Sequence, residues 1–284
     1  MNYSMDFGAY LTEQIKNQVA NSINLTVDSE LKPEQVVHEI RKSMKRCKAY
    51  LSLLKPALPP NVYLHSKYAI RSVSKLLAEY RTSTVNLNCF QSLKKDIKNQ
   101  VDDKFIEKIE QILLRKKQCY FALFESVSVN GFVMVQSQLN LIPLNRLEEK
   151  CDSVSHEQIY NEMDKTVNMF IKRMLKKSDK GDSEQFHEWR KAVKRMMYQT
   201  NVLNNVLTDY PYYDYQQLDE LADFLGEDHD ISELLLELDN TKLPASYSKS
   251  YAKFSKICRH KLDKYKRQSI NYAQTCISNK VEPV

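Results

Sequence analysis

His187–Leu203 reads HEWRKAVKRMMYQTNVL, and His38–Leu54 reads HEIRKSMKRCKAYLSLL. The two align without a gap at an offset of 149 residues (187 less 38), sharing His, Glu, Arg, Lys, Lys, Arg and a terminal Leu. On a helix that advances about 100° per residue, the cations at +3, +4, +7 and +8 fall within roughly 80° of the His. In the first copy these are Arg41, Lys42, Lys45 and Arg46 beside His38; in the second, Arg190, Lys191, Lys194 and Arg195 beside His187. The opposite stripe is mostly apolar: Ile40, Met44, Cys47, Leu51 and Leu54, then Trp189, Val193, Met196, Thr200 and Leu203. Each copy therefore predicts a helix with one side for a core and one side crowded with cations.

Such crowding opposes helix formation, because like charges at i, i+4 cost a few tenths of a kcal/mol per pair. A solvated helix face normally mixes Glu with Lys. Here the acids Glu39 and Glu188 stand at the flank and the centre is basic. One such helix is commonly no more than a solvated face. Two in the same pattern, each with a His at the same corner, point to an anionic partner.

The wider chain agrees. Its 284 residues are 42% hydrophobic and 27% charged, with a net charge of +6, a composition for a folded and mildly basic protein. Four glycines leave little material for glycine-rich phosphate loops, and long Leu/Lys/Glu/Gln-rich segments predict an all-α fold. The opening MNYSMDFGAYLTEQ lacks the basic and apolar regions of a secretory signal, and no apolar run approaches a membrane span, so a soluble cytoplasmic protein is expected. The six cysteines (47, 89, 119, 151, 258, 276) form no CxxC pair and read as free thiols.

Apolar spacing predicts helices over Phe7–Asn21, from Lys32-Pro33-Glu34 to near Lys55-Pro56, and over Val62–Tyr80 and Leu93–Ser126. It predicts further helices over His156–Lys177, the second basic repeat (capped by Asp182 or Ser183), Leu218–Gly226, Ile231–Leu238 and Tyr247–Ser278. Residues 126–145, with Asn130-Gly131, carry a local hairpin signature and equally fit the end of one helix and the start of another. That stretch is taken as the linker between halves 1–145 and 146–284. The halves share an order of helix, basic helix, loop with Pro, helix and long helix, an internal duplication. A second echo, Leu77-Ala-Glu-Tyr-Arg81-Thr82 against Leu225-Gly-Glu-Asp-His229-Asp230, has an offset of 148 (225 less 77). The expected architecture is two pseudo-symmetric antiparallel four-helix bundles.

The motif H-x-x-R-[K]-x-x-[K/R]-[K/R], once per half and followed by an L-G-x-x-x-D-type segment, resembles the CHAD domain, the conserved histidine α-helical domain. The resemblance covers nearly the whole chain. It implies two four-helix bundles in pseudo-symmetry, binding of inorganic polyphosphate on a basic surface or channel, and no catalysis. Carried over by position, it implies phosphate contacts from His38, Arg41, Lys42, Lys45, Arg46 and Lys48, and from His187, Arg190, Lys191, Lys194 and Arg195. Two positions depart from the pattern: Met197 stands where Lys48 supplies a cation in the first half, and Thr82 stands where Asp230 keeps an acid in the second. Other polyanions are further candidate partners, and association with polyphosphate granules is a further expectation. No cofactor or metal is implied.

Two other classes compete. A helical protein binding nucleic-acid backbones would use the same cations, but no recognised nucleic-acid motif is present. An enzyme acting on phosphate esters would generally need a carboxylate or metal set beside the cations. The HExxH zinc motif fails because Lys42 and Lys191 stand where its second His belongs. His229-Asp230 reads more naturally as a structural pair, with Asp230 steadying a nearby cation. Asp214, Asp219, Glu220 and Asp223 read as a solvated acidic face, and the tyrosines of 210–215 as packing over bundle ends. A His among Arg and Lys is disfavoured as a cation until a polyanion arrives, which predicts tighter binding below neutral pH.

Overall fold

The computed structural model describes residues 6–126, 131–151, 154–175, 183–204, 206–207 and 213–278. They fold as α-helices joined by short turns, with no strand among the described residues. In chain order these are α1 (Phe7–Val27), α2 (Pro33–Leu53), α3 (Pro60–Leu76), α4 (Ala78–Ile97), α5 (Asp103–Ser126) and α6 (Gly131–Asn140). Then follow α7 (Leu144–Lys150), α8 (His156–Leu175), α9 (Ser183–Leu203), α10 (Tyr215–Asp239) and α11 (Ser248–Ser278). No described helix is long and apolar enough to cross a membrane.

The helix starts follow local chemistry. Asp6 caps α1 by accepting from Gly8 N at 2.8 Å, and Asp214 caps α10 by accepting from Gln217 N at 3.0 Å. Pro33 opens α2, where its missing N–H costs nothing. Ser155 and Gln158 form a reciprocal capping box at the start of α8.

Three sequence expectations need correction. The stretch Val62–Tyr80 is not one helix: α3 ends at Leu76 and α4 starts at Ala78, with the buried Leu77 at the joint. Leu93–Ser126 is also divided. Asn99 turns the backbone into the left-handed region (φ 68°), and Asp102 then accepts from Lys104 N at 2.9 Å to start α5. Conversely, the two pieces either side of Gly226 are one helix, α10. Residues 127–130 and Asp182 lie outside the described residues, as do residues 210–212 of the 210–215 loop. Gly131–Asn140 is helical, which selects the helix-to-helix reading of that stretch over the hairpin.

Two apolar clusters hold the helices together. The larger is built on α1, α2, α3, α8 and α9, with Trp189, Phe170, Phe7 and Met44 fully buried. The smaller joins Leu87–Ile97 of α4, Phe105–Leu113 of α5, Ile231–Leu238 of α10 and Phe254–Leu262 of α11. Neither cluster is confined to one half of the sequence. Helix α4 enters the larger cluster through Tyr80 and the smaller through Leu87; α10 does the same through Leu225 and Ile231. Arg81 lies between the two on α4, and His229 and Asp230 lie between them on α10. This waist carries the candidate site.

Candidate anion site

The two basic helices pack against each other. Their register is pinned by Gln199 of α9, whose Nε2 donates to Ala49 O of α2 at 3.3 Å and to Ser52 Oγ at 2.8 Å. The apolar stripes go inward: Ile40, Met44, Cys47 and Leu51 on α2, Trp189, Val193 and Met196 on α9. The cationic faces are thereby left to meet beside the helix pair. A cleft of about 240 Å³ opens there, lined by Lys45, Lys48 and Ala49 of α2 and by Arg190, Lys191, Lys194, Arg195 and Tyr198 of α9.

The cations in and behind this cleft are close enough to disturb one another. Lys45 is solvent-accessible but ringed by Arg190, Lys194, Arg41 and Arg81. Desolvation first, then those four charges, push its ammonium down to about 7. Desolvation and neighbouring guanidinium groups also lower Lys48, Lys194 and Arg41. Arg41 Nη1 donates to Ser74 O at 2.6 Å, and Lys48 Nζ to Ser74 Oγ at 3.3 Å, so α3 orients the α2 cations. None of Arg41, Lys45, Lys48, Arg81, Arg190 and Lys194 forms an ion pair with a carboxylate among the described residues.

Acids of α10 stand close by, Asp230 foremost. Burial raises the Asp230 carboxyl while Arg190, Arg81, Lys45 and Lys194 oppose that rise. Its charge is thus shared among four cationic neighbours. Asp223 and Asp219 of α10 also act on Lys194, and Asp223 on Arg190, yet the six cations outnumber these three carboxylates and leave a surplus of positive charge. Arg190 Nε is moreover buried without a hydrogen-bond partner among the described residues, a donor with unused capacity. Gly226 lies against this guanidinium: a Cβ there would stand 3.9 Å from Arg190 Nη2.

The structure sorts the other expected residues around this centre. Lys191 and Arg195 line the rim; Lys191 also pairs with Glu188, which Arg173 contacts at 3.6 Å. Lys42 sits 3.9 Å from Glu39 and does not line the cleft. Arg46 turns toward Gln18 (3.4 Å) and the Tyr198 ring (6.0 Å to its centroid). His38 stands 3.7 Å from Glu39, and burial with the nearby Arg81 lowers its pKa. His187 meets His229 of α10, Nδ1 to Nδ1, at 3.2 Å. The sequence motif alone missed Arg81, His229 and Tyr198. The first two were marked by the 148-residue echo, which sets Arg81 opposite His229; each stands beside its own half's motif His. Among the described residues, no group of three or more His, Cys, Asp or Glu is gathered to hold a metal ion.

One known family model, the CHAD domain, matches residues 9–239. The chain belongs to the CHAD domain family. Among solved structures it is similar to PptA from Streptomyces chartreusis, at TM-score 0.69 and 12% identity, over 94% of this chain and 99% of that one. It is also similar to the CHAD domain from the plant Ricinus communis, at TM-score 0.58 and 16% identity, over 95% of this chain and 93% of that one. At these identities the likeness is one of fold. No curated protein matches it.

Proposed function

We propose that this protein binds inorganic polyphosphate, without catalysing its breakdown, in the cleft between α2 and α9. The observation that carries the reading is the packing of Lys45 among Arg41, Arg81, Arg190 and Lys194 with Asp230 as the nearby counter-charge. Holding these cations together is unfavourable until an anion arrives, so an anion is the missing component. Membership of a family linked to polyphosphate supports the choice of anion. A polymer with charge on every unit and no bases to read suits a site offering charge without a base-reading platform. Arginine grips two phosphate oxygens at once, and lysine serves as a point charge.

Within this reading Arg41, Lys45, Lys48, Arg190 and Lys194 form the inner contacts. Lys42, Arg46, Lys191, Arg195, His38 and His187 extend the surface along a longer chain. Helices α2 and α9 are read as counterparts of a duplicated unit, related by a pseudo-twofold axis passing between them. A cytoplasmic protein able to gather on polyphosphate granules would fit this role.

The test is thermal unfolding with long-chain polyphosphate, with orthophosphate and single-stranded nucleic acid at matched phosphate concentration. A ligand that binds only the folded state raises the melting temperature by mass action. A rise with polyphosphate that fades with added salt supports the reading; an equal rise with nucleic acid would favour a general polyanion binder; no rise would overturn it.

A further inference from the structure

The cleft holds several amines in different electrostatic positions. Lys48 is tied to Ser74 Oγ at 3.3 Å. Lys194 feels Arg190, but Asp223, Asp219 and Asp230 pull in the other direction. Lys191 is paired with Glu188. Lys45 has neither a hydrogen-bond partner nor an ion-pair partner among the described residues and is open to solvent. Every element packed around it turns charge toward it: Arg41 from its own helix, Arg190 and Lys194 from α9, and Arg81 from α4; Asp230 and His229 face it from α10.

We propose that Lys45 is a nucleophilic amine that forms an imine with small aldehydes carrying a phosphate group. The proposal rests on the anion-binding reading above, because the phosphate has to dock before the amine attacks. Arg190, Lys194 and Lys48 line the cleft beside Lys45 and supply that dock. A space of about 240 Å³ lies just under the roughly 300–1,000 Å³ usual for small-ligand pockets, enough for a ligand of modest size with one edge in solvent. The amine is available because desolvation of its stem in the cleft, and then the surrounding cations, disfavour its protonation, the device that activates other amine nucleophiles.

The step balances without any co-reactant. The Nζ lone pair attacks the carbonyl carbon and the C=O π pair moves to oxygen. Proton transfer from nitrogen to that oxygen gives a carbinolamine. Water then leaves as the C=N bond forms, so one amine and one aldehyde become one imine and one water, with no change of oxidation state. The imine keeps the phosphate tethered in the cleft, where it blocks polyphosphate.

The probe is pyridoxal 5′-phosphate at pH 7.5, followed by borohydride reduction and peptide mass mapping. The expected result is labelling concentrated on Lys45, suppressed at least tenfold by excess polyphosphate and absent in Lys45→Arg. Pyridoxal, which lacks the phosphate, should label Lys45 several-fold less. A cooperative melting transition of Lys45→Arg without any ligand, at a temperature close to that of the wild type, reports that the variant is folded. Labelling spread over lysines in proportion to their exposure, or equal labelling by pyridoxal, would overturn the proposal while leaving polyphosphate binding intact. Selective labelling of Lys45 that polyphosphate fails to suppress would instead count against the polyphosphate reading and sustain the reactive amine.

Discussion

His187 of α9 and His229 of α10 face each other through their Nδ1 atoms at 3.2 Å. At that distance one ring donates its proton to the lone pair of the other, so at most one Nδ1 carries a hydrogen. Burial and the surrounding cations Arg190, Lys45 and Lys191 hold His229 down to about 3, and burial with Lys191 and Arg190 lowers His187. The pair is neutral at neutral pH and serves as a hydrogen-bonded brace between α9 and α10.

Folding therefore excludes protons that the unfolded chain would bind. A His whose folded pKa lies below its unfolded value of about 6.5 costs stability as pH falls below 6.5, by at most about 1.4 kcal/mol per pH unit per group and less with partial solvent access. Asp228 works the other way, since burial raises its carboxyl to about 6. The difference between wild type and His229→Asn isolates the His contribution. Its melting-temperature deficit should shrink steadily between pH 6.5 and pH 4.5; a deficit constant with pH would remove the neutral-pair account.

On the proposed reading, Lys45 is the group poised to take up a proton when polyphosphate binds, because desolvation and the neighbouring cations push its free ammonium down to about 7. Arg41, Arg81, Arg190 and Lys194 oppose that proton, and Asp230 favours it. A bound polyanion raises the folded pKa, so affinity should fall as pH rises from 7 toward 9, with net proton uptake on binding at pH 8. Calorimetry in buffers of different ionisation heat counts that proton. Lys45→Arg should bind with a flat profile over the same range; a sloping profile in that variant would move the linkage to another group.

Arg190 combines burial, an unused Nε–H and contact with the cleft. Arg190→Ala should weaken short-chain polyphosphate by at least tenfold, in keeping with about 1.5–3 kcal/mol for a charged hydrogen bond. The slope of log Kd against log salt should drop by about one. Lys42, beside Glu39 and outside the cleft, should change affinity less than twofold as Lys42→Ala. Equal losses for the two would mean that the basic surface acts by total charge and not by its inner contacts.

Gln199 is fully buried and joins α9 to α2 through Ala49 O and Ser52 Oγ. Gln199→Ala removes both bonds and leaves a void, for an expected loss of about 1–3 kcal/mol in urea unfolding. Affinity should fall with it, as the two cationic faces lose their register. A destabilised variant with undiminished affinity would show that the cleft survives without this clamp.

Much of this was legible in the sequence. The repeated stretch located α2 and α9, their inward stripes and most of the cations that meet. Helix joints were harder to read because packing sets them. Leu77 carries no breaker chemistry, yet its burial decides where α3 turns into α4. Asn99 adopts a left-handed backbone that only a turn would ask of it, inside an otherwise helical apolar period. Gly226 looked like a stop but serves as a low point on α10, lying against Arg190. Arg81 was invisible to the motif because it comes from a different helix. Only the weaker echo, which pairs it with His229, marked the position.

The waist where α4 and α10 pass from one apolar cluster to the other has a cellular consequence. Arg81, His229 and Asp230 stand on the spans that connect the two clusters, behind the cations of the cleft, so an anion bound as proposed would brace both clusters at once. Partial openings that expose chain to proteases would be suppressed on either side by the same ligand. The lifetime of the protein should then follow the supply of polyphosphate: long while the polymer is abundant, short once it is consumed.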